Sequence, residues 1–391
     1  MTKQAEFRRA PRIASLEISE IAQLSERAAA LRAAGRDVVA LSTGEPDFPT
    51  PGHVIEAAHA AAVAGQTRYP ATMGTPALRN AIAAMNAVTQ DSVIVSTGAK
   101  QVIANAMLAS LDTADEVVIP APFWTSYADI VRMAGGTPVF VQCPMDQDFK
   151  ITPHDLEAAI TPATRWLMLN APSNPSGMIY SAEEQKALAQ VLARHPHVLV
   201  MVDEIYEHLS YAPYSSFKAA APELAGRILI VNGVSKAYSM TGWRIGWGIG
   251  PEGLIKAMGV VQGQITSGAC SIAQAAALAA ITGPQDLLAE RRDILKARRN
   301  KVVTALNDMP GIRCPVPDGA FYAFPEISGA IAAGGFASDA DLCTALLDRA
   351  GVAIVPGRAF GLSGHARLSF AYAVADLDTG LARMAQFFAE C

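Results

Sequence analysis

The sequence predicts an α/β protein with a large, doubly wound, mainly parallel sheet domain and a smaller α+β domain. Strand and helix signals alternate from Asp47 to about Gly283, which is typical of a doubly wound sheet. After Gly283-Pro284 the pattern changes to one long charged helix followed by short apolar strand segments. We therefore expect a large domain over residues 46–283, a small domain over residues 12–45 and 284–391, and an N-terminal arm over residues 1–11.

The elements follow in chain order. A helix from Ser19 to Gly35 is assigned to the small domain, and alanine-rich stretches at 61–64 and 275–280 favour helix because alanine has the highest helix propensity. EVVIP (116–120), a helix starting near Trp124 and TPVFVQ (137–142) form one βαβ unit. LMLN, VLVMVD, ILIVN and RIGWGIG continue the sheet, and the small domain receives the helix over 287–309 and the strand segments FYAFP and VAIVPG.

Composition excludes several classes of protein. The chain has 391 residues, 51% hydrophobic and 17% charged, which is enough for about two domains with a large core. Its net charge is −5, and the short basic cluster at Arg8, Arg9 and Arg12 is interpreted as a solvated arm. We expect no nucleic-acid partner because no basic stripe is present to hold a phosphate backbone.

The cysteines and the N-terminus predict a cytoplasmic protein. Five cysteines are widely spaced and form no CxxC pair, which favours reduced thiols and no structural metal. The N-terminal sequence MTKQAEFRRAPR lacks an apolar signal core, and charged residues interrupt the alanine-rich segments before about twenty residues. We therefore expect no membrane partner. The cysteines are Cys143, Cys270, Cys314, Cys343 and Cys391.

The segment from Asn232 to Gly246, NGVSKAYSMTGWRIG, places Lys236 in a loop of small residues with Arg244 eight positions later. An amine in such a loop can hold an aldehyde cofactor as a Schiff base, and a nearby arginine can bind the cofactor's phosphate. Most lysines and arginines are solvated or form ordinary ion pairs. This segment alone therefore leaves both interpretations open.

A second segment favours the interpretation that Lys236 and Arg244 bind a cofactor. The apolar run HVLVMVDEIYEHL ends in Asp203, with Tyr206 three residues later. Asp203 could be a helix N-cap, or its carboxylate could keep a pyridine nitrogen protonated, with Tyr206 bonding the ring's phenolic oxygen. A third strand, Arg165 to Leu169, also ends in a polar loop. Such ends match the rule that open α/β sheets bind ligands beyond the carboxyl ends of their strands.

From about Val38 to its C-terminus the chain resembles the fold-type I pyridoxal-phosphate enzymes of the class I/II aminotransferase family, most closely the prephenate/aspartate branch. The resemblance rests on long motifs in a fixed order: GEPDFPTP, TRYP, STGAKQ, APFWTSY, NAPSNPSG, VDEIYEHL, SKAYSMTGWRIG, DGAFYAF and ARLSFAY. It implies the aspartate aminotransferase-like fold, pyridoxal 5'-phosphate as cofactor, and ping-pong transfer of an amino group between an L-amino acid and a 2-oxo acid.

The resemblance also implies the roles of individual residues. Lys236 would form the Schiff base and then move the substrate's α-proton, while Asp203 would pair with the pyridine nitrogen. Trp124 would stack on the ring, although a core aromatic packed on a helix is the alternative interpretation. Asn174 and Tyr206 would bind the ring oxygen and hold it as an anion.

Phosphate and substrate contacts are implied in the same way. The backbone of Gly98, Ala99 and Lys100, at the start of an apolar helix, would bind the phosphate together with Ser235 and Arg244. The resemblance implies a homodimer in which the partner subunit's Tyr69 reaches the same phosphate. Arg367, which by itself reads as a surface arginine near a strand end, would bind the substrate α-carboxylate. The implied substrate-binding residues are Gly44, Trp124, Asn174 and Arg367.

Substrate choice is left open at this stage between aspartate, glutamate and aromatic amino acids. Relatives in this branch often carry a lysine in an N-terminal KPS-like segment, whereas Leu16-Glu17-Ile18 aligns there, and Glu17 would repel a distal carboxylate. An aromatic or broad pocket is the alternative. Its candidate lining residues are Trp124, Tyr211, Phe321 and Tyr322.

Two other functions compete with transamination. The same cofactor supports β-elimination (as in a C–S β-lyase), decarboxylation or racemisation, because the bond that breaks depends on how the substrate is placed. A non-catalytic regulator with this fold would need a DNA-binding helix-turn-helix, and the roughly forty residues before Leu41 contain no basic recognition helix. Transamination is the favoured prediction.

Overall fold

The computed structural model describes residues 7–14 and 16–391. Residues 1–6 of the predicted arm and Ser15 lie outside this range. The described residues form twelve β-strands and fifteen α-helices.

The strands are β1 Val39–Ala40, β2 Val93–Thr97, β3 Glu116–Ala121, β4 Thr137–Gln142, β5 Thr164–Asn170, β6 Leu199–Asp203, β7 Ile228–Gly233, β8 Ile245–Ile249, β9 Tyr322–Ala323, β10 Val352–Ala353, β11 Val355–Pro356 and β12 Ala366–Ser369.

The helices are α1 Pro11–Ala14, α2 Glu20–Ala33, α3 Gly52–Val63, α4 Pro76–Met85, α5 Ala99–Ser110, α6 Ser126–Met133, α7 Pro153–Ala159, α8 Ala182–Arg194, α9 Phe217–Ala220, α10 Glu252–Ile265, α11 Ser271–Thr282, α12 Asp286–Asn307, α13 Ser328–Ala333, α14 Asp339–Ala345 and α15 Val374–Ala389.

A seven-stranded sheet forms the centre of the larger part of the molecule. Its strand order is β2-β8-β7-β6-β5-β3-β4, and every neighbouring pair is parallel except those that involve β8. Every residue of β7 and β8 is buried, as expected for sheet strands covered by helices on both faces. The predicted α/β fold with a mainly parallel sheet is confirmed, including the βαβ unit of β3, α6 and β4.

The register of the central strands brings polar side chains to one edge of the sheet. Strand β5 ends at Asn170, which pairs with Asp203 at the end of β6, and β7 ends at Gly233, three residues before Lys236. Because β5, β6 and β7 are parallel neighbours, their carboxyl ends open on the same side.

The smaller part contains two small sheets. Strands β11, β12 and β9 form an antiparallel sheet, and β1 pairs with β10 in parallel. Helices α12 and α15 contribute Leu295, Val302 and Leu377 to the apolar core beneath these strands. This core also includes Phe321 and Phe370.

Most predicted elements are confirmed with shifted ends. The first long helix starts at Glu20, because the Ser19 hydroxyl caps it by accepting the Ala22 N–H at 3.3 Å. The helix predicted near Trp124 starts at Ser126. The segment FYAFP contains one two-residue strand, and VAIVPG contains two, β10 and β11.

No helix among residues 7–14 and 16–391 combines the length and apolar composition needed to cross a membrane. The five cysteines are free thiols, of which Cys143, Cys314 and Cys343 are buried.

Candidate active site

A cavity of about 280 Å³ lies at the carboxyl edge of the seven-stranded sheet, where the two parts of the molecule meet. Eleven of the thirteen residues predicted for the site line it; Gly98 lies directly behind this lining, and Tyr69 is elsewhere. The eleven are Gly44, Ala99, Lys100, Trp124, Asn174, Asp203, Tyr206, Ser235, Lys236, Arg244 and Arg367.

Lys236 lies in the loop after β7 with its amine inside the cavity. Its Nζ donates a hydrogen bond to the backbone oxygen of Gly44 at 2.7 Å, which links the loop to the chain segment that follows β1. Burial lowers the pKa of Lys236 to about 8, with Glu45 opposing the shift and Arg367 and Arg244 adding to it. The amine is therefore partly unprotonated, and nucleophilic, near neutral pH.

Asp203 is the last residue of β6 and is buried. Its Oδ2 accepts a hydrogen bond from the Tyr127 hydroxyl at 2.8 Å, and its Oδ1 accepts the Ile205 N–H at 3.2 Å. Burial raises the pKa of Asp203 to about 6, while these two bonds and the charge of Lys236 oppose the rise. The alternative that Asp203 caps an α-helix is wrong, because the chain after it makes a short turn and a 3₁₀ helix.

The start of α5 forms an anion-binding cradle. Gly98 is its N-cap, with a φ of 82° and no side-chain cap, so the first amides of the helix are left for a ligand. A Cβ on Gly98 would lie 2.6 Å from Arg244 Nη2. Arg244 Nη1 in turn donates to the Thr241 backbone oxygen at 2.8 Å. The glycine therefore admits the guanidinium beside the helix terminus.

Lys100 contributes more than the backbone contact predicted from the sequence. Its Nζ lies 4.8 Å from the centre of the Trp124 ring, at the cavity wall. Burial, followed by the charge of Arg244, lowers the pKa of Lys100. The structure therefore places a second ammonium group within the site.

Arg367 lies within β12 and is only 2% exposed, so the interpretation of a surface arginine is wrong. Its Nη1 donates to Asn174 Oδ1 at 2.9 Å and its Nη2 to the Ser42 backbone oxygen at 2.5 Å, while its Nε has no hydrogen-bond partner among the described residues. A buried guanidinium without a carboxylate is costly unless an anion joins it. The geometry therefore favours a carboxylate ligand.

Several cavity residues were not predicted. Tyr127, Asn170 and Thr241 line the cavity, as does Ile21 from α2. Tyr127 could have been suspected, because it lies three residues after Trp124 in the motif APFWTSY. Ile21 lies more than 200 residues from Lys236 in the sequence, and only the tertiary structure brings it there.

The aromatic lining is narrower than the sequence indicated. Trp124 and Tyr322 line the cavity, but Phe321 is in the apolar core and Tyr211 bonds the Ala320 backbone oxygen with its hydroxyl at 2.5 Å.

Two predicted positions lie outside the cavity. Tyr69 is 93% exposed on the surface of the chain, so it contributes nothing to the cavity of its own subunit. Glu17 is exposed and forms an ion pair with Arg9 at 3.3 Å. Glu17 does not line the cavity, and its carboxylate is paired with a cation.

The fold and this constellation are typical of an α/β enzyme in which a lysine amine lies beside an anion-binding helix terminus. The chain matches the family Aminotransferase class I and II over residues 36–384, and it belongs to that family. It is 49% identical to an aspartate aminotransferase of Rhizobium meliloti over 98% of this chain and 96% of that protein. It is 48% identical to an aspartate/prephenate aminotransferase of Cereibacter sphaeroides over 96% and 98%, respectively.

Solved structures give the same result. The crystal structure of the aspartate aminotransferase from Rhizobium meliloti superposes with a TM-score of 0.93 at 48% identity, covering 97% of this chain and 98% of that one. The Thermus thermophilus aspartate aminotransferase with maleate has a TM-score of 0.92 at 38% identity, with 97% and 100% covered. The chain is thus an aminotransferase that acts between an amino acid and a 2-oxo acid, and its family implies pyridoxal phosphate.

Proposed function

We propose that this aminotransferase uses pyridoxal 5'-phosphate to move amino groups from acidic amino acids, aspartate foremost, to 2-oxo acids. The observation that carries the proposal is the presence of two cationic side chains, buried Arg367 and solvent-exposed Lys100, in the lining of the cavity that holds Lys236. A monocarboxylic amino acid needs one of them, whereas a dicarboxylic amino acid uses both.

The donor set fits the cofactor. Lys236 would hold the aldehyde carbon, the carboxylate of Asp203 suits a protonated pyridine nitrogen, and the Trp124 ring offers a stacking face. Gly98, which leaves no space for a Cβ beside Arg244, fits a phosphate seated on the α5 amides, with Ala99, Lys100 and Ser235 around it. We assign the ring oxygen to Asn174 and Tyr206. When bound, pyridoxal phosphate supplies an electron sink for the substrate's α-carbon.

Lys236 performs the proton transfer in this proposal. Its Nζ is held by the Gly44 backbone oxygen at 2.7 Å, and its lowered pKa of about 8 lets the amine both accept and return a proton near neutral pH. Asp203, kept ionised by Tyr127, holds the positive charge that makes the electron sink effective. Because the side chains around Lys236 are largely buried, water is kept away from the site of proton transfer.

Arg367 and Lys100 orient the substrate. Arg367 is rigid because two of its nitrogens already bond Asn174 and Ser42, so its remaining edge faces a fixed direction. A carboxylate arriving there places the α-carbon in the cavity that holds Lys236. Lys100 then binds the distal carboxylate. An exclusively aromatic pocket is disfavoured, because the Lys100 ammonium lies over Trp124.

The assembly, location and domain organisation of the enzyme are part of the same proposal. We assign residues 46–283 to the cofactor-binding domain, 12–45 and 284–391 to the small domain, and 1–11 to an arm. Tyr69, exposed on one subunit, supports a homodimer in which it completes the partner's phosphate site. The net charge of −5 and the free thiols are consistent with a cytoplasmic enzyme.

The first test is the visible spectrum of the purified protein with pyridoxal phosphate, before and after excess aspartate, glutamate or phenylalanine without any 2-oxo acid. We expect aspartate and glutamate to convert the yellow cofactor fully to its amino form. A yellow colour that persists with every donor would contradict transamination of these amino acids and redirect attention to β-elimination.

A variant separates acidic from aromatic specificity. Lys100→Met should lower kcat/KM for aspartate by about 10- to 150-fold, the equivalent of one charge-assisted hydrogen bond, and change the value for phenylalanine much less. Lys186→Met, on the exposed face of α8, is the matched control. Equal losses for aspartate and phenylalanine would mean that Lys100 serves the cofactor alone.

A further inference from the structure

Two tyrosine hydroxyls meet inside the cavity. The Oη atoms of Tyr206 and Tyr322 lie 2.9 Å apart, and their rings pack edge to face at 5.8 Å. Tyr206 follows β6 of the large sheet, whereas Tyr322 belongs to β9 of the small antiparallel sheet. Both side chains are at most 3% exposed. The pair is therefore a polar contact across the junction of the two parts of the molecule, at the ligand site itself.

The position of the Tyr322 hydroxyl is fixed from two sides. A Cβ on Gly44 would lie 2.2 Å from Tyr322 Oη, so only glycine at this position leaves space for the hydroxyl. On the other side the Arg367 guanidinium lies 4.6 Å from the centre of the Tyr322 ring. A cation over the ring stabilises negative charge on the phenol oxygen and so strengthens the O–H group as a donor.

The two tyrosine hydroxyls together have two protons to donate. Burial raises the pKa of both phenols, so both hydroxyls keep their protons at neutral pH. One of the two protons forms the bond between them, and the other remains for a ligand. Because Arg367 makes Tyr322 the stronger donor, the favoured order is Tyr322 donating to Tyr206 and Tyr206 donating into the cavity.

We propose that Tyr322 is a positioning residue that donates its hydroxyl proton to Tyr206 and thereby directs the Tyr206 proton towards the ring oxygen of the bound cofactor. This inference rests on the proposed function, which assigns Tyr206 to that oxygen. A donor that itself accepts a hydrogen bond is polarised and donates more strongly. Tyr322 therefore helps to hold the ring oxygen as an anion without touching it.

The test is the pH dependence of the visible absorbance of the holoenzyme. Without the Tyr322 hydroxyl the ring oxygen is held less well as an anion, and the ionisation of the cofactor moves to higher pH. Tyr322→Phe should raise the midpoint by roughly 0.5 to 1 pH unit. Tyr211→Phe is the matched control, because it removes another, partly buried tyrosine hydroxyl that bonds next to β9 but does not line the cavity.

A double-mutant cycle shows whether Tyr322 acts through Tyr206. Tyr206→Phe should raise the midpoint by more than Tyr322→Phe does, and adding Tyr322→Phe to it should shift the midpoint no further. An unchanged or lowered midpoint in Tyr322→Phe would overturn the inference. Shifts that add in the double variant would overturn it as well.

A second variant covers the case in which Tyr322→Phe does not fold. Gly44→Ala displaces the Tyr322 hydroxyl by the close contact given above, and it should raise the midpoint only when Tyr206 is present. The wild-type spectrum separates the two proposals. No visible band with pyridoxal phosphate would overturn the proposed function, whereas a normal band with an unchanged Tyr322→Phe midpoint would overturn only this inference.

Discussion

Tyr127→Phe tests the electrostatic design of the site most directly, because it removes one hydroxyl from a buried carboxylate. The Tyr127 hydroxyl donates to Asp203 Oδ2 at 2.8 Å, and the two side chains are 2% and 5% exposed. The phenylalanine keeps the ring that packs edge to face on Trp124 at 5.3 Å. Asp203 would be left with one protein donor, the Ile205 N–H at 3.2 Å.

The size of the effect follows from the lost bond. A hydrogen bond to a charged group contributes about 1.5–3 kcal/mol, so its loss should raise the pKa of Asp203 by about 1 to 2 units. Starting from a pKa of about 6, the variant would titrate near 7.5, and the ionised fraction at pH 7 would fall from roughly nine-tenths to about a quarter. If the cofactor binds the ionised form, its apparent affinity at pH 7 falls about fourfold.

The sign of the pH dependence is also determined. Both proteins have an ionised Asp203 at high pH, so the affinity ratio between wild type and variant should return to one as pH rises to about 9. The measurement is the Kd for pyridoxal phosphate from about pH 6.5 to about pH 9, with Tyr180→Phe as the control. Tyr180 is also buried, but its hydroxyl accepts the Ile151 N–H. A ratio that stays constant across this range refutes the reasoning.

Three further predictions concern other residues of the same region. Lys236→Ala should abolish turnover yet still bind pyridoxal phosphate without a covalent bond, as judged by the mass of the chain after borohydride reduction; full activity would exclude its assigned role. Gly98→Ala forces a non-glycine residue to a φ of 82° and crowds Arg244, so the affinity for pyridoxal phosphate should fall about tenfold while that for pyridoxal changes little. Burial raises the pKa of Glu204 from 4.5 to about 8. The folded protein therefore has its full stability from this group below about pH 4.5, and it loses that stability as the pH rises to about 8 and the buried carboxyl must ionise. The Glu204→Gln variant should gain up to a few kcal/mol over wild type at pH 9 and almost none at pH 5 in unfolding experiments, and a gain independent of pH would contradict this assignment.

The parts of the site that depend only on nearby residues in the chain could be predicted from the sequence. Asp203 and Lys236 each follow an apolar strand, and parallel neighbours necessarily open at one edge, so their convergence could be predicted from strand signals alone. The small residues around Lys236 and the glycine before α5 are local signals of the same kind. These are the positions at which the structure and the expectation agree most closely.

Contacts between distant segments could not be predicted in this way. Tyr127 bonds Asp203 across 76 residues, and Tyr206 meets Tyr322 across 116. No periodicity or turn signal in the sequence around Tyr127 or Tyr206 indicates which distant residue its hydroxyl will bond. Arg367 shows the same limit, because a strand pattern cannot distinguish a surface arginine from a buried one whose neighbours include Asn174, 193 residues away.

The lining of the cavity carries an excess of positive charge. Lys100, Arg244 and Arg367 are held at one site with Lys236, and Asp203 is the only carboxylate among the described lining residues. Such an excess of positive charge opposes folding unless anions bind, and the proposed phosphate and dicarboxylate ligands would supply the negative charge that is lacking.

Burial and the excess of positive charge in the cavity both lower the pKa of Lys236. Burial, together with Arg367 and Arg244, lowers the pKa of its amine to about 8, with Glu45 opposing the shift. Binding a phosphate at Arg244 or a carboxylate at Arg367 neutralises part of this influence, so each anion that binds makes Lys236 a stronger base. The amine is therefore most readily deprotonated before these anions bind, which in the proposed function is when it acts as a nucleophile. It gains basicity when a carboxylate is bound at Arg367, which in the proposed function is when it takes the α-proton.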